Sequence, residues 1–380
     1  MDWESFAKGN GVDASEKPVF PGIPHYYKTL DSLYSLKERF PAESLDFVFS
    51  EGLVNATKYY KILLKEWFLL LRVSGCLIIR FRPNNLLSLE KLEKEVKLLF
   101  KEKGRLVGCD KGKAVTCVIQ KTASVLVPGD SIGKWTFGII TNGKRKEEME
   151  SLIASIRKQG IPNYEIIVCG TYWDRNEPFF RYIPFSEHDD RGWITRKKNI
   201  ICENAKYENI MVVHDRLSLD DGWFEGMKRY GNNFEVLSCV QLTDGAKMRA
   251  ADWVTSCCSK MPGIIALLDY RDWDSWIYPN GGLIMLKKSV WAQVKWDEAL
   301  FWNDCEDVEL GHRFTAAGFV FRFNPHASCS TVHWRHGKIP FVKFNRRKFG
   351  GMQAPFRERL ACAWIRFKDR VQGNLEPVMP

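Results

Sequence analysis

Two adjacent carboxylates, Glu306 and Asp307, stand at the start of a helix-patterned stretch, "WDEALFWNDCEDVELGHRFTAAGF", residues 296–319. A carboxylate within hydrogen-bond reach of a hydroxyl can take its proton as the oxygen attacks carbon. Acids at a helix start are also favoured by the helix dipole, so a purely structural role explains the pair as well. Upstream, Arg196, Lys197 and Lys198 form a cationic run followed by Asn199. Such a run neutralises a diphosphate or forms a solvated helix face. His214-Asp215-Arg216 ends an apolar run. It offers one hard oxygen ligand, of the kind divalent cations take, between an imidazole and a guanidinium. Asn280, Gly281 and Gly282 precede another apolar run, and glycines allow a ligand to approach the backbone closely. Trp302 lies beside the acidic pair, its ring suited to stacking on a sugar or to packing in a core. His326, His333 and His336 crowd the segment "NPHASCSTVHWRHGK".

The elements that would position these residues alternate between strand and helix, the pattern of an α/β chain. Residues 1–44 hold Pro18, Pro21, Pro24 and Pro41 and read as an irregular lead-in with a short helix near 29–39. Strands are expected at 45–50 and 76–81, with a helix over 57–73 ended by Gly75. A second helix is expected over 87–103 with Gly104 as its stop, followed by strands near 106–109 and 114–119. Residues 125–134, with Pro128, Gly129 and Gly133, read as a linker. Beyond it come strands at 135–141, 165–169 and 210–213, helices at 146–159 and 194–205, and a further helix capped by Asp220 or Asp221. Thr141 and Asn142 fall at the end of the first of these strands, where such sheets bind ligands.

Four motifs in order, "FGIITNGKRKEEMESLIASIRKQGIPNYEIIVCG", "GWITRKKNIICENAKYENIMVVHDR", "YPNGGLIMLKKSVW" and the acidic-pair segment, resemble the glycosyltransferases of the GT-A fold, closest in pattern to family 2. The resemblance spans about 200 residues, 135–336. It implies a nucleotide-sugar donor, UDP- or GDP-linked, and a glycan or lipid-linked acceptor. It places Thr141, Asn142, Lys197, Lys198, Asn199, His214, Arg216, Gly281 and Gly282 around the donor and Trp302 at the acceptor. Asp307 becomes the general base of an inverting single displacement, with Glu306 as acceptor contact or alternative base. The family's Asp-x-Asp, which holds Mn²⁺ or Mg²⁺, is reduced here to Asp215 between His214 and Arg216. Two options follow: Asp215 holds the metal with a distant His, for which His333 is chosen over His336, or Arg216 supplies the charge directly. "LDFVFSEGLVN" and "EWFLLLRVSGCLIIRFRP", within 45–120, resemble the C-terminal half of a Rossmann-like methyltransferase, but no GxGxxG-type loop precedes them. A retained scaffold or a dimerisation module fits that departure. The organisation expected is therefore a smaller α/β domain over 1–124, the linker, a GT-A domain over 135–337 and an extension over 338–380.

Composition narrows the alternatives. The 380 residues are 45% hydrophobic and 27% charged, with a formal charge of +10, which excludes a disordered chain, a collagen and a coiled coil. The 11 cysteines are odd in number and form no CxxC pair, so a thiolate zinc site is not expected and a reducing, cytoplasmic setting is. The start of the chain lacks the pattern of a secretory signal, and 62–79 is interrupted by Lys65, Glu66 and Arg72. Residues 338–373 carry ten Lys and Arg against Glu358 and Asp369, interleaved with aromatics. That tail fits peripheral contact with a membrane surface or a packed helix with a basic face. A charge of +10 spread over this length, with no recognition motif, ranks nucleic acid last. A catalytically degenerate scaffold that binds glycan or nucleotide is the alternative to the enzyme.

Overall fold

The computed structural model describes residues 2–26, 39–112, 114–173, 177–243, 248–258, 261–268, 270, 272–273, 275–331 and 341–342. The helix expected near 29–39, His333, His336 and nearly all of the basic extension lie outside these residues. Among the described residues the chain is mixed α/β with three sheets. No helix there is long and apolar enough to cross a membrane.

The N-terminal sheet has the order β1-β2-β3-β5-β4. Its strands are β1 (Gly11–Asp13), β2 (Leu45–Glu51), β3 (Leu71–Phe81), β4 (Gly104–Lys111) and β5 (Val115–Lys121). The first three run parallel and the last two antiparallel. Helices α1 (Tyr60–Leu70) and α2 (Leu89–Phe100) cover it. Two glycines act differently from expectation. The first helix stops at Leu70 and β3 begins at once, because Leu71 already pairs with Leu45. Gly75 lies inside that strand at a register shift, where a Cβ would sit 2.9 Å from the Arg72 carbonyl. Gly104 is the first residue of β4. The turn out of α2 is made instead by Lys101, at φ 51°, leading one 3-10 turn.

The second sheet has the order β10-β17-β11-β16-β9-β6-β7-β8. It begins with β6 (Lys134–Thr141), α3 (Lys146–Lys158), β7 (Asn163–Gly170), β8 (Phe180–Pro184), α4 (Ile194–Asn204) and β9 (Asn209–His214). Then come β10 (Leu217–Leu219), α5 (Trp223–Tyr230) and β11 (Val236–Thr243). Strands β12 (Met248–Arg249), β13 (Val254–Cys258), β14 (Met261–Leu268) and β15 (Ile277–Tyr278) follow. The chain returns through β16 (Leu283–Lys287), α6 (Lys288–Gln293), α7 (Glu306–Ala316), β17 (Phe321–Thr331) and β18 (Phe341–Val342). Strands β9, β6, β7 and β8 are parallel, and β16 turns the sheet antiparallel. Strand β12 pairs with β11, and β15-β13-β14-β18 form the third, smaller sheet.

Helix α3 buries Met149, Leu152, Ile153 and Ile156. That i, i+3, i+4, i+7 stripe packs on the face of β6 that carries Trp135, Phe137 and Ile139. Helix α4 takes the opposite face. It reaches the sheet because β6 has Gly138 at the crossing, where a Cβ would lie 2.1 Å from Ile201 Cγ2. Helix α5 has no aspartate cap. Gly222, at φ 79°, precedes Trp223, and the Asp220 carboxylate instead accepts from Ser328 and Ser330 on β17.

One continuous apolar core joins the N-terminal block to the second sheet, running from Trp67 and Phe68 to Ile201, Trp253 and Phe323. Polar links cross the same seam. Buried Glu66 of α1 pairs with buried Arg322 of β17 and accepts from Asn233 at 2.7 Å. Lys65 pairs with Glu235 at 2.7 Å, and Lys58 with Asp272. The 125–134 segment is tied down by buried Lys287, which donates to Asp130 at 2.6 Å and to Asn209 at 2.7 Å.

Candidate functional site

Strand β6 has β7 on one side and β9 on the other. The chain direction across the sheet therefore reverses between β6 and β9, and ligands of open α/β sheets sit outside the carboxyl ends of the strands at such a point. A cleft of about 270 Å³ opens there. Of the residues singled out in the sequence, Thr141, Asn142, Lys197, His214, Asp215, Arg216 and Trp302 line it. Lys144, Arg145 and the stretch Asp189–Gly192 line it too. Sequence reasoning passed over these. The signal available was the charge run Lys144-Arg145-Lys146 directly after a strand, and the polar stretch "SEHDDRG".

The loops after β6 and β9 meet through Asp215. Its Oδ2 accepts from the Thr141 hydroxyl at 2.8 Å and its Oδ1 from Arg145 Nη1 at 3.1 Å. The Thr141 hydroxyl in turn accepts from the Gly143 N–H at 3.0 Å. Lys197, on α4, donates to the Thr141 carbonyl at 2.7 Å and to Asp189 at 2.5 Å, which draws the 185–193 segment over the cleft. The rim is braced by aromatics. Arg191 lies 3.9 Å over the Phe301 ring, and Phe301 stacks on Trp193 with centroids 6.0 Å apart. Trp302 donates its backbone N–H to the Gly192 carbonyl at 3.0 Å. A Cβ on Gly192, at φ 73°, would meet the Trp302 Cβ at 3.0 Å.

The cationic run of α4 is not a solvated face. Lys197 and Lys198 are buried. Arg196 turns away to Glu298 at 2.9 Å and Glu203 at 3.3 Å. Asn199 does not line the cleft. It donates to the Trp296 carbonyl and to Glu298 and accepts from the Trp291 indole, pinning the 291–298 segment.

The acidic pair, Glu306 and Asp307, does not line the cleft. Buried Lys198 donates to Glu306 at 2.9 Å. Asp307 Oδ2 accepts from the Gly281 N–H at 2.9 Å and Oδ1 from the Val308 N–H at 2.9 Å. Gly281 and Gly282 connect the two regions. The Gly282 carbonyl accepts from the His214 N–H at 3.0 Å, and its missing Cβ would lie 3.1 Å from Arg216 Nη2. Burial first, and then the neighbouring Glu306 charge, push the Asp307 carboxyl up to about 6, against the pull of the Gly281 and Val308 N–H groups and Lys198. Burial, then the charges of Arg216, Lys198 and Arg145, hold His214 well below the usual imidazole range, so it is neutral. Its Nε2 is buried without a hydrogen-bond partner. Among the described residues no group of three or more His, Cys, Asp or Glu side chains could hold a metal ion.

No family model matches the chain, and no curated protein does. Solved structures similar to it include the following two. The crystal structure of GalNAc-T7 with UDP, GalNAc and Mn2+ is 10% identical, covering 53% of this chain and 44% of that one, with a TM-score of 0.41. The crystal structure of S. aureus TarS 1-349 is 11% identical, covering 52% of this chain and 60% of that one, with a TM-score of 0.37. The chain thus spans about half the length of the structures it matches. Neither supports the methyltransferase likeness of the N-terminal block.

Proposed function

We propose that the chain is a glycosyltransferase of GT-A type that moves a sugar from a nucleotide-sugar donor to a hydroxyl acceptor, a glycan or a lipid-linked one. The observation that carries the reading is the cleft at the reversal point of the parallel strands, lined by Lys144, Arg145, Arg191, Lys197 and Arg216 and linked through Gly282 and Gly281 to the buried Asp307. The cations take the diphosphate, where charge develops as the leaving group departs. The acceptor oxygen attacks the anomeric carbon, the bond from that carbon to the phosphate oxygen breaks, and Asp307 takes the acceptor proton. One displacement inverts the anomeric centre.

Asp307 suits the base role better than Glu306. A base works best with a pKa near the working pH, and Asp307 is raised towards it by burial and then by the Glu306 charge. Glu306 is committed to Lys198. Gly281 then has a role of its own, because a Cβ there would stand 2.7 Å from Glu306 Oε1 and 3.1 Å from Asp307 Oδ2. Gly281→Ala is expected to displace the pair and to cut transfer by about 10²-fold with an unchanged circular dichroism spectrum. Wild-type turnover in that variant would remove the pair from the chemistry.

The experiment that tests the whole reading is a thermal-shift panel of UDP, GDP, CMP and their sugars, followed by donor turnover with the nucleotide that binds. A ligand at a hundredfold excess over its Kd stabilises by about 2.7 kcal/mol, so one nucleotide is expected to shift the melting midpoint by several degrees. Binding without turnover on any acceptor would favour the scaffold alternative, and no shift with any nucleotide would end the reading.

A further inference from the structure

Building on the nucleotide-sugar reading, we infer that the site holds its nucleoside diphosphate through guanidinium and ammonium groups, with Arg145 in the place where a divalent cation would otherwise sit. The donor set argues against the ion. Asp215 is the one carboxylate at the end of β9, and both its oxygens are taken, by Arg145 at 3.1 Å and by Thr141 at 2.8 Å. A second acid on the lining, Asp189, is bound to Lys197 at 2.5 Å. A divalent ion at a nucleotide site is held by one or two free carboxylates together with phosphate oxygens and waters; here Asp215 and Asp189 are engaged by cations and a hydroxyl, and the described residues bring no group of three or more His, Cys, Asp or Glu together.

The charge balance of the cleft has the sign an anion requires. Lys144, Arg145, Arg191, Lys197 and Arg216 face Asp189, Asp190 and Asp215 across the lining, five cations to three acids. Asp215 then has a positioning task. It holds the Arg145 guanidinium at the mouth of β6 and β9, from where the fork reaches a phosphate in the geometry arginine favours.

The test uses the full chain and isothermal titration with UDP and GDP, first in EDTA and then in Mn²⁺. The nucleotide that binds is expected to do so with Kd values in the two buffers agreeing within about threefold. Arg145→Ala should weaken it by about 10–100-fold, the worth of a charge-assisted hydrogen bond, with Arg145→Lys in between. Asp215→Asn keeps an amide oxygen that can accept from Arg145 and removes an anion beside the phosphate, so binding should be retained. A Kd more than tenfold tighter in Mn²⁺, or loss of binding in Asp215→Asn, overturns the inference while leaving the glycosyltransferase reading in place. No binding of either nucleotide in either buffer overturns both.

Discussion

Asp307→Asn is expected to lower kcat/KM for transfer by about 10²–10⁴-fold, the usual contribution of a general base, while the Kd for the nucleotide is unchanged. The wild-type rate should fall about tenfold per pH unit below about 6, because that is where the Asp307 carboxyl takes up its proton. The stability of the variant gives an independent reading. A carboxyl whose folded pKa is raised holds its proton longer than in the unfolded chain. The native state is therefore penalised as pH rises from the ordinary carboxylate range to about 6, and the full penalty is present above that. Asp307→Asn removes the penalty, so it should be more stable than wild type by about 1–3 kcal/mol at pH 7.5 and no more stable near pH 4. A variant that is inactive because it is misfolded would show the reverse. Full activity in Asp307→Asn would assign the base elsewhere.

Arg322→Met is expected to destabilise the fold by about 3–5 kcal/mol, because it strands a buried carboxylate. Glu66 is fully buried on α1, and its charge is met across the seam by Arg322 of β17 and by Asn233. Replacing both ends with apolar residues, Glu66→Leu with Arg322→Met, should recover most of the loss, since it removes the desolvated charges together. Urea denaturation followed by tryptophan fluorescence and circular dichroism checks both points. A single shared transition is expected, since the N-terminal sheet and the second sheet have one apolar core. Two separate transitions, or a single variant within about 1 kcal/mol of wild type, would show that the N-terminal block stands by itself.

Local pattern accounts for most of the elements around the cleft. The stripe of Met149, Leu152, Ile153 and Ile156 specifies α3, and the apolar runs that become β6, β7 and β9 lie within a residue or two of their expected bounds. Turn glycines are harder, because one residue type serves several purposes. Gly75 and Gly104 have the look of helix stops, but the first permits a close backbone crossing inside β3 and the second fits against Phe100 and Phe68 at the head of β4. Local pattern does not separate those uses, since part of what a Cβ would strike comes from elsewhere in the chain, Leu45 and Asp46 for Gly75 and Phe68 for Gly104.

The same division holds for the charges. The order of the motifs along the chain, the acid pair at a helix start and the solitary Asp215 between His214 and Arg216 are properties of the sequence. Which charge meets which is a property of the fold. Arg145 and Asp215 are 70 residues apart, and Lys198 and Glu306 are 108 apart. Lys197 and Lys198 have the spacing of a solvated helix face, yet Gly138 lets α4 settle on β6 and buries both against acids from other segments. Burial raises the cost of an unpaired charge steeply, so the packing of α4 decides both the partners of these lysines and the sign of the field in the cleft. Periodicity specifies each element by contacts a few residues apart, whereas desolvation and Coulomb pairing act through space between segments that only the folded chain brings together.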